Sequence, residues 1–155
     1  MLLKLTLLSV IVILLPLTYV VFYWRRVAQW IKALILSYIV VIVVIGYPVA
    51  RFTFSMYEIE KVFPNDCGSA LITARAHMQR DYPDFSKVLL GGLFGVTPKI
   101  YYLSTIAICE YKKGNLGIAA ATLEELLGAK DLALSKNFDA EKYRMMLKQI
   151  NNTTK

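Results

Sequence analysis

The chain has 155 residues, of which 57% are hydrophobic and 19% are charged, with a formal net charge of +7. A soluble domain is usually about half apolar and about a quarter charged, so part of this chain is expected to lie in lipid. The surplus charge does not indicate nucleic-acid binding. Six basic and two acidic residues precede Pro64, where the basic ones flank apolar segments, and the twelve basic and nine acidic residues after it are scattered.

Two long uncharged stretches occupy residues 5–24 and 33–50. Each is close to the roughly 20 residues with which an α-helix crosses a hydrocarbon core of ~30 Å. No small-residue cleavage site follows the first stretch, so it is interpreted as retained rather than removed as a signal peptide. The sequence therefore predicts a transmembrane hairpin over residues 1–51.

The turn of this hairpin carries Arg25 and Arg26, with Lys32 close by. Basic residues accumulate on the cytoplasmic side of membrane proteins, which places the turn in the cytoplasm. Both termini and the soluble domain are then expected in the periplasm, with the protein in a bacterial inner (cytoplasmic) membrane.

Small and hydroxyl residues occur at matching depths in the two spans. With the turn centred near residues 27–28, Ser9 falls level with Gly46, and Thr18 falls level with Ser37. Such residues let two helix backbones approach closely in lipid. These four positions are the predicted packing sites of the hairpin.

An amphipathic helix is predicted to connect the membrane part to the soluble part, over residues 52–64. Phe52, Met56, Ile59 and Phe63 form one helical stripe, and Pro64 ends it. The stripe is either the first core helix of the soluble domain or a helix lying along the membrane surface.

The soluble domain, residues 65–155, is predicted to be all-helical, which makes the whole chain all-α. Its helices are marked by capping residues, prolines and glycines. These signals give a helix from Asp66 or Ser69, a partly helical apolar segment over residues 85–94, a helix opened by Pro98, a helix ended by Gly128 and a last helix capped by Asp139.

Residues 103–127 resemble a single tetratricopeptide repeat. The resemblance rests on apolar and small positions in two helices and on the turn between them: Leu103, Ile106, Ala107, Gly114, Asn115, Ala119, Leu123 and Leu126. Glu110 stands where the family usually has an aromatic residue, and no proline follows Asp131. The resemblance implies a repeat-like fold that binds protein on a concave helical face; an unrelated helical bundle is the alternative.

Few residues suggest chemistry. Cys67 and Cys109 are either a disulfide of an oxidising compartment or two buried thiols. His77 shares a helix with Arg75 and Arg80 and is interpreted as part of a solvated basic face. We predict no catalytic residues, no metal ligands and no cofactor.

The glycine-rich segment Gly91-Gly92-x-x-Gly95 is a weak match to a phosphate-binding loop, because no strand precedes it. Its apolar neighbours indicate either a hydrophobic contact surface or core packing.

These features predict a non-enzymatic accessory or scaffold subunit of a membrane protein complex. Its expected partners are other integral membrane proteins and the lipid bilayer, and not nucleic acid. The alternative is a small membrane-bound immunity or inhibitor protein that neutralises a toxin or an enzyme. The predicted partner surface comprises Tyr101, Tyr102, Lys112, Lys113, Leu93 and Phe94.

Overall fold

The computed structural model describes residues 28–63, 65–80 and 82–153. Within these ranges the chain is helical and contains no strand, which confirms the all-α prediction. The elements, numbered in chain order, are α1 Gln29–Val62, α2 Cys67–Met78, α3 Asp84–Phe94, α4 Pro98–Lys112, α5 Leu116–Gly128, a 3-10 helix Lys130–Leu134, and α6 Ala140–Thr153. The first predicted span, with Ser9 and Thr18, lies outside the described residues, as does Pro64.

Helix α1 is a single helix of 34 residues that includes both the second predicted span and the predicted connector. In the described part of the chain it is the one helix long and apolar enough to cross a membrane, by its length and composition. Only 6% of its most apolar 18-residue window is buried, whereas a core helix of a soluble protein would be mostly buried. By its internal contacts the chain divides into two compact units, and the boundary between Val44 and Ile45 lies within this helix.

The C-terminal part of α1 belongs to the core of the helical domain. Phe52 and Ile59 are completely or almost completely buried, and Met56 and Phe63 pack partly buried against the same cluster. Of the two interpretations of this stripe, the one that assigns it to the first core helix of the domain is therefore correct.

The predicted helix caps are present. The carboxylate of Asp66 accepts hydrogen bonds from the backbone N–H of Gly68 at 2.8 Å and of Ser69 at 3.1 Å, so it caps α2. The hydroxyl of Ser69 also donates to this carboxylate, and these bonds lower the pKa of Asp66 below its ordinary value. At α6, the carboxylate of Asp139 accepts from the N–H of Lys142 at 3.2 Å.

Helix α3 is a complete helix, and the expectation that this segment is only partly helical is wrong. Its Gly91 is buried, and a Cβ there would lie 2.6 Å from the carbonyl oxygen of Leu134. Gly95 ends the helix in the left-handed conformation, with φ of +71°. Gly91 thus allows close packing against the 3-10 helix, and Gly95 ends α3.

Helix α4 is the central element of the domain. Ten of its fifteen residues are buried, and they contribute to two hydrophobic clusters. Ile106 and Cys109 face the cluster that contains Phe52. Leu103 and Ala107 face the second cluster, together with α5 and α6. The predicted helix pair of residues 103–127 is therefore one layer of a helical domain, with α1 and α2 on its other side.

We predict opposite effects of one substitution at two adjacent glycines. Gly91→Ala should destabilise the domain by about 1–3 kcal/mol, because its Cβ meets a backbone carbonyl that cannot easily move. Gly92→Ala should be neutral or stabilise by up to about 1 kcal/mol, because Gly92 is an exposed helix position with open space around it. Thermal unfolding of the full chain in detergent measures both. Equal effects of the two variants would contradict the close contact of α3 with the 3-10 helix.

Candidate interaction surfaces

An aromatic cluster joins α1 to the helical domain. The ring of Phe52 has four aromatic neighbours in edge-to-face geometry. The distances from its centroid are 5.3 Å to Phe94, 5.8 Å to Tyr101, 6.1 Å to Tyr102 and 6.4 Å to Tyr82. Such pairs contribute about 0.5–1.5 kcal/mol each beyond the burial of their surface. Phe52 is therefore the main apolar contact between α1 and the helices that follow.

A short chain of hydroxyl groups crosses the same junction. The Tyr102 oxygen lies 2.6 Å from Ser55 Oγ and 3.3 Å from the Tyr82 oxygen, and Ser55 Oγ donates to the carbonyl of Phe52. Burial raises the pKa of Tyr102 far above its ordinary value, so the phenol stays neutral. The expectation that Tyr102 lies on a partner surface is wrong: it is 1% exposed, because Ser55 of α1 supplies a buried partner for its hydroxyl.

Tyr101, the neighbouring residue of the predicted surface, is half-buried against Phe52. Burial, with a smaller contribution from the charge of Glu60, raises the pKa of Tyr101 to about 12. It presents only part of its ring to a partner.

His77 is buried, 8% exposed, and the interpretation as a solvated face is wrong. Its Nε2 lies 3.0 Å from Oε2 of Glu58 on α1, and its ring stacks on Tyr102 with centroids 6.0 Å apart. The sequence contained a signal for this burial in the spacing of three residues. Ala70, Ala74 and His77 lie at i, i+4 and i+7, on the buried side of α2. The histidine thus links α2 to α1.

Glu110 explains one departure from the tetratricopeptide pattern. This carboxylate is 3% exposed and accepts from Arg75 Nη2 at 2.6 Å and from Asn115 Nδ2 at 2.7 Å. It therefore connects α2, α4 and the turn before α5 by charge-assisted hydrogen bonds, where a repeat would have an aromatic contact.

Helix α1 exposes an aromatic face on the side opposite Phe52. Tyr47, Ala50, Phe54 and Tyr57 follow one another at helical spacing and are all exposed, Phe54 by 60%. We call these four residues the α1 outer face. Three of its side chains are large aromatic rings, and the described domain does not cover them.

Helix α3 has an exposed apolar outer face, formed by Phe85, Val88, Gly92 and Leu93. Leu93, a residue of the predicted partner surface, is 60% exposed. Phe94 instead packs partly buried against Phe52. We call these four residues the α3 outer face.

Lys112 and Lys113 are exposed at the end of α4. The ammonium group of Lys112 lies 4.9 Å from the ring centroid of Phe63, a cation–π contact with the end of α1. Both lysines remain accessible to a partner.

A polar cleft of about 370 Å³ lies beside the start of α4. Arg80, Lys87 and Lys99 line it together with Glu125 and Asp131, and Lys99 Nζ pairs with Glu125 Oε1 at 3.1 Å. Charges of both signs favour polar contacts with a protein segment over capture of an anion.

The remaining predicted positions are placed as follows. Ser37 is exposed and donates to the carbonyl of Leu34 at 2.8 Å, and Gly46 is half-buried. Their predicted hairpin partners lie outside the described residues. Cys67 and Cys109 are free thiols whose sulfur atoms are 2.7 Å apart.

Among residues 28–63, 65–80 and 82–153, no three or more His, Cys, Asp or Glu side chains are grouped to hold a metal ion. The chain matches no protein-family model, no curated protein and no solved structure. Function is therefore argued from the surfaces themselves.

We predict that two neighbouring phenylalanines differ sharply in their contribution to stability. Phe52→Ala should destabilise the domain by about 3–5 kcal/mol, because it empties the centre of the aromatic cluster. Phe54→Ala should change stability by less than about 0.5 kcal/mol, since its ring is exposed. Thermal unfolding of the full chain compares them, with Phe52→Leu as a milder variant that is expected to fold. Similar losses for Phe52→Ala and Phe54→Ala would contradict the described burial.

A second pair tests the buried carboxylate. Glu110→Ala should lower the free energy of unfolding by about 1–2 kcal/mol. This loss is smaller than for a fully buried ion pair, because Arg75 is half exposed and water can solvate it once Glu110 is gone. Glu124→Ala, at an exposed position of α5, should change the free energy of unfolding by less than about 0.5 kcal/mol. If both variants unfold at the wild-type temperature, the Glu110 contacts do not stabilise the fold.

Proposed function

We propose that this protein is a non-enzymatic accessory or scaffold subunit of a membrane protein complex. Helix α1, with the predicted first span, docks laterally against transmembrane helices of other subunits. The helical domain binds further parts of the assembly. The domain belongs on the periplasmic side of a bacterial inner membrane, as the basic turn residues favour.

The observation that supports this proposal is the pair of apolar outer faces on a domain whose own core is already filled. Single exposed apolar residues are ordinary on a protein surface, but contiguous apolar faces mark contact sites. Aromatic side chains dominate the contact energy of many interfaces, and the α1 outer face has three of them. The aromatic cluster at Phe52 supports the same proposal, because it fixes the α1 outer face to the rest of the domain.

The α3 outer face is the proposed partner surface that can be tested most directly. It lies on a short helix held at both ends, since Tyr82 before it and Phe94 at its end both contact Phe52. A helix fixed in this way binds a partner without the cost of ordering its backbone, which favours binding.

We predict that mild-detergent purification of the tagged chain recovers other integral membrane proteins in stoichiometric amounts. Replacing Phe85, Val88 and Leu93 together by serine should weaken the association at least about tenfold, the effect of losing roughly 1.4 kcal/mol of binding free energy, and should thereby reduce that recovery. Mass spectrometry of the retained proteins measures it.

The matched control replaces Ile72, Ile118 and Met145 by serine. These three are exposed apolar residues outside both outer faces, so recovery should stay at the wild-type level. Recovery of the chain alone would contradict the subunit proposal and favour the immunity or inhibitor alternative. Equal losses in both triple variants would show that the α3 outer face is not the partner surface.

A further inference from the structure

The two cysteines of the chain are brought together by the packing of α2 against α4. Cys67 is the first residue of α2, and Cys109 lies one turn before the end of α4, 42 positions later. Their Sγ atoms are 2.7 Å apart. A disulfide bond measures about 2.04 Å, so bond formation requires the sulfur atoms to move by less than about 1 Å.

We propose that Cys67 and Cys109 are oxidised to an intramolecular disulfide that ties the start of α2 to α4. For its place in the cell this inference rests on the proposed periplasmic orientation, because disulfides persist in oxidising compartments. The geometry of the thiol pair itself is independent of that orientation.

The two thiols differ in access, and this sets the order of the chemical steps. Cys67 is half-buried, whereas Cys109 is completely buried. Burial, strengthened by the hydrogen bond to Cys67, raises the pKa of Cys109 to about 12, and the nearby charges of Lys112 and Lys113 oppose this only weakly. An oxidant therefore reacts first at Cys67.

The oxidant is a disulfide, R–S–S–R, of a small molecule or of an oxidoreductase. The Cys67 thiolate attacks one sulfur, forming Cys67–S–S–R and releasing one R–S⁻. Cys109 then loses its proton, and its sulfur attacks Cys67 Sγ and displaces the second R–S⁻. Both cysteine thiols are oxidised, the disulfide R–S–S–R is reduced, and the two protons leave on two R–SH molecules.

The test uses the full chain in mild detergent, first reduced and then incubated with oxidised glutathione. After acid quenching and denaturation, a maleimide polymer counts free thiols as steps on a gel. We expect two labels on the reduced chain and none on the oxidised monomer, with loss of two hydrogens in the intact mass. Two labels after oxidation, or a covalent dimer, would overturn the proposal.

Single variants provide the controls. Cys109→Ser leaves the accessible Cys67, which should take up one glutathione; Cys67→Ser leaves a buried thiol that should stay unmodified in the folded chain. If Cys109→Ser takes up glutathione while the wild-type chain keeps both thiols, the sulfur atoms do not pair. Oxidation should also raise the apparent melting temperature of the wild-type chain by about 10 °C and of neither variant.

The oxidation state of the two thiols in cells distinguishes failure of the disulfide proposal from failure of the proposed periplasmic orientation. Acid trapping before alkylation preserves that state. A disulfide in cells supports the periplasmic side. Free thiols in cells, combined with a disulfide after oxidation of the purified chain, would overturn the periplasmic orientation and leave the pairing intact.

Discussion

One helix combines two parts of different composition, and the rest of the structure depends on how α1 joins them. Over residues 33–50 it is uncharged and its apolar side chains are largely unburied by the described protein. From Arg51 onward it carries charges and buries one face, centred on Phe52, in the helical domain. Because Phe52 and Ile59 lie in the core cluster, the last turns of α1 are part of the helical domain.

The domain secures this helix with polar contacts as well as apolar ones. Ser55 binds Tyr102, and Glu58 pairs with His77, so a shift of α1 by one turn would leave buried hydroxyl and imidazole groups without partners. Such groups add little net stability but penalise wrong registers, which makes them suited to specifying one arrangement.

Much of the fold could be predicted because its signals are local. The Asp66 cap, Pro98, Gly128 and the spacing of apolar residues in α4 and α5 each act within a few residues, and the structure confirms them. The burial of Tyr102 and the partner of His77 could not be predicted in this way, since they depend on Ser55 and Glu58 of a distant helix. Leu93 belongs to the apolar segment interpreted either as a contact surface or as core packing, and its side chain is exposed.

Helix α4 lies between two hydrophobic clusters and contributes side chains to both of them. Ile106 and Cys109 belong to one cluster while Leu103 and Ala107 belong to the other. Loss of either cluster therefore exposes one side of a helix that the other cluster requires, and we expect the domain to unfold as one cooperative unit.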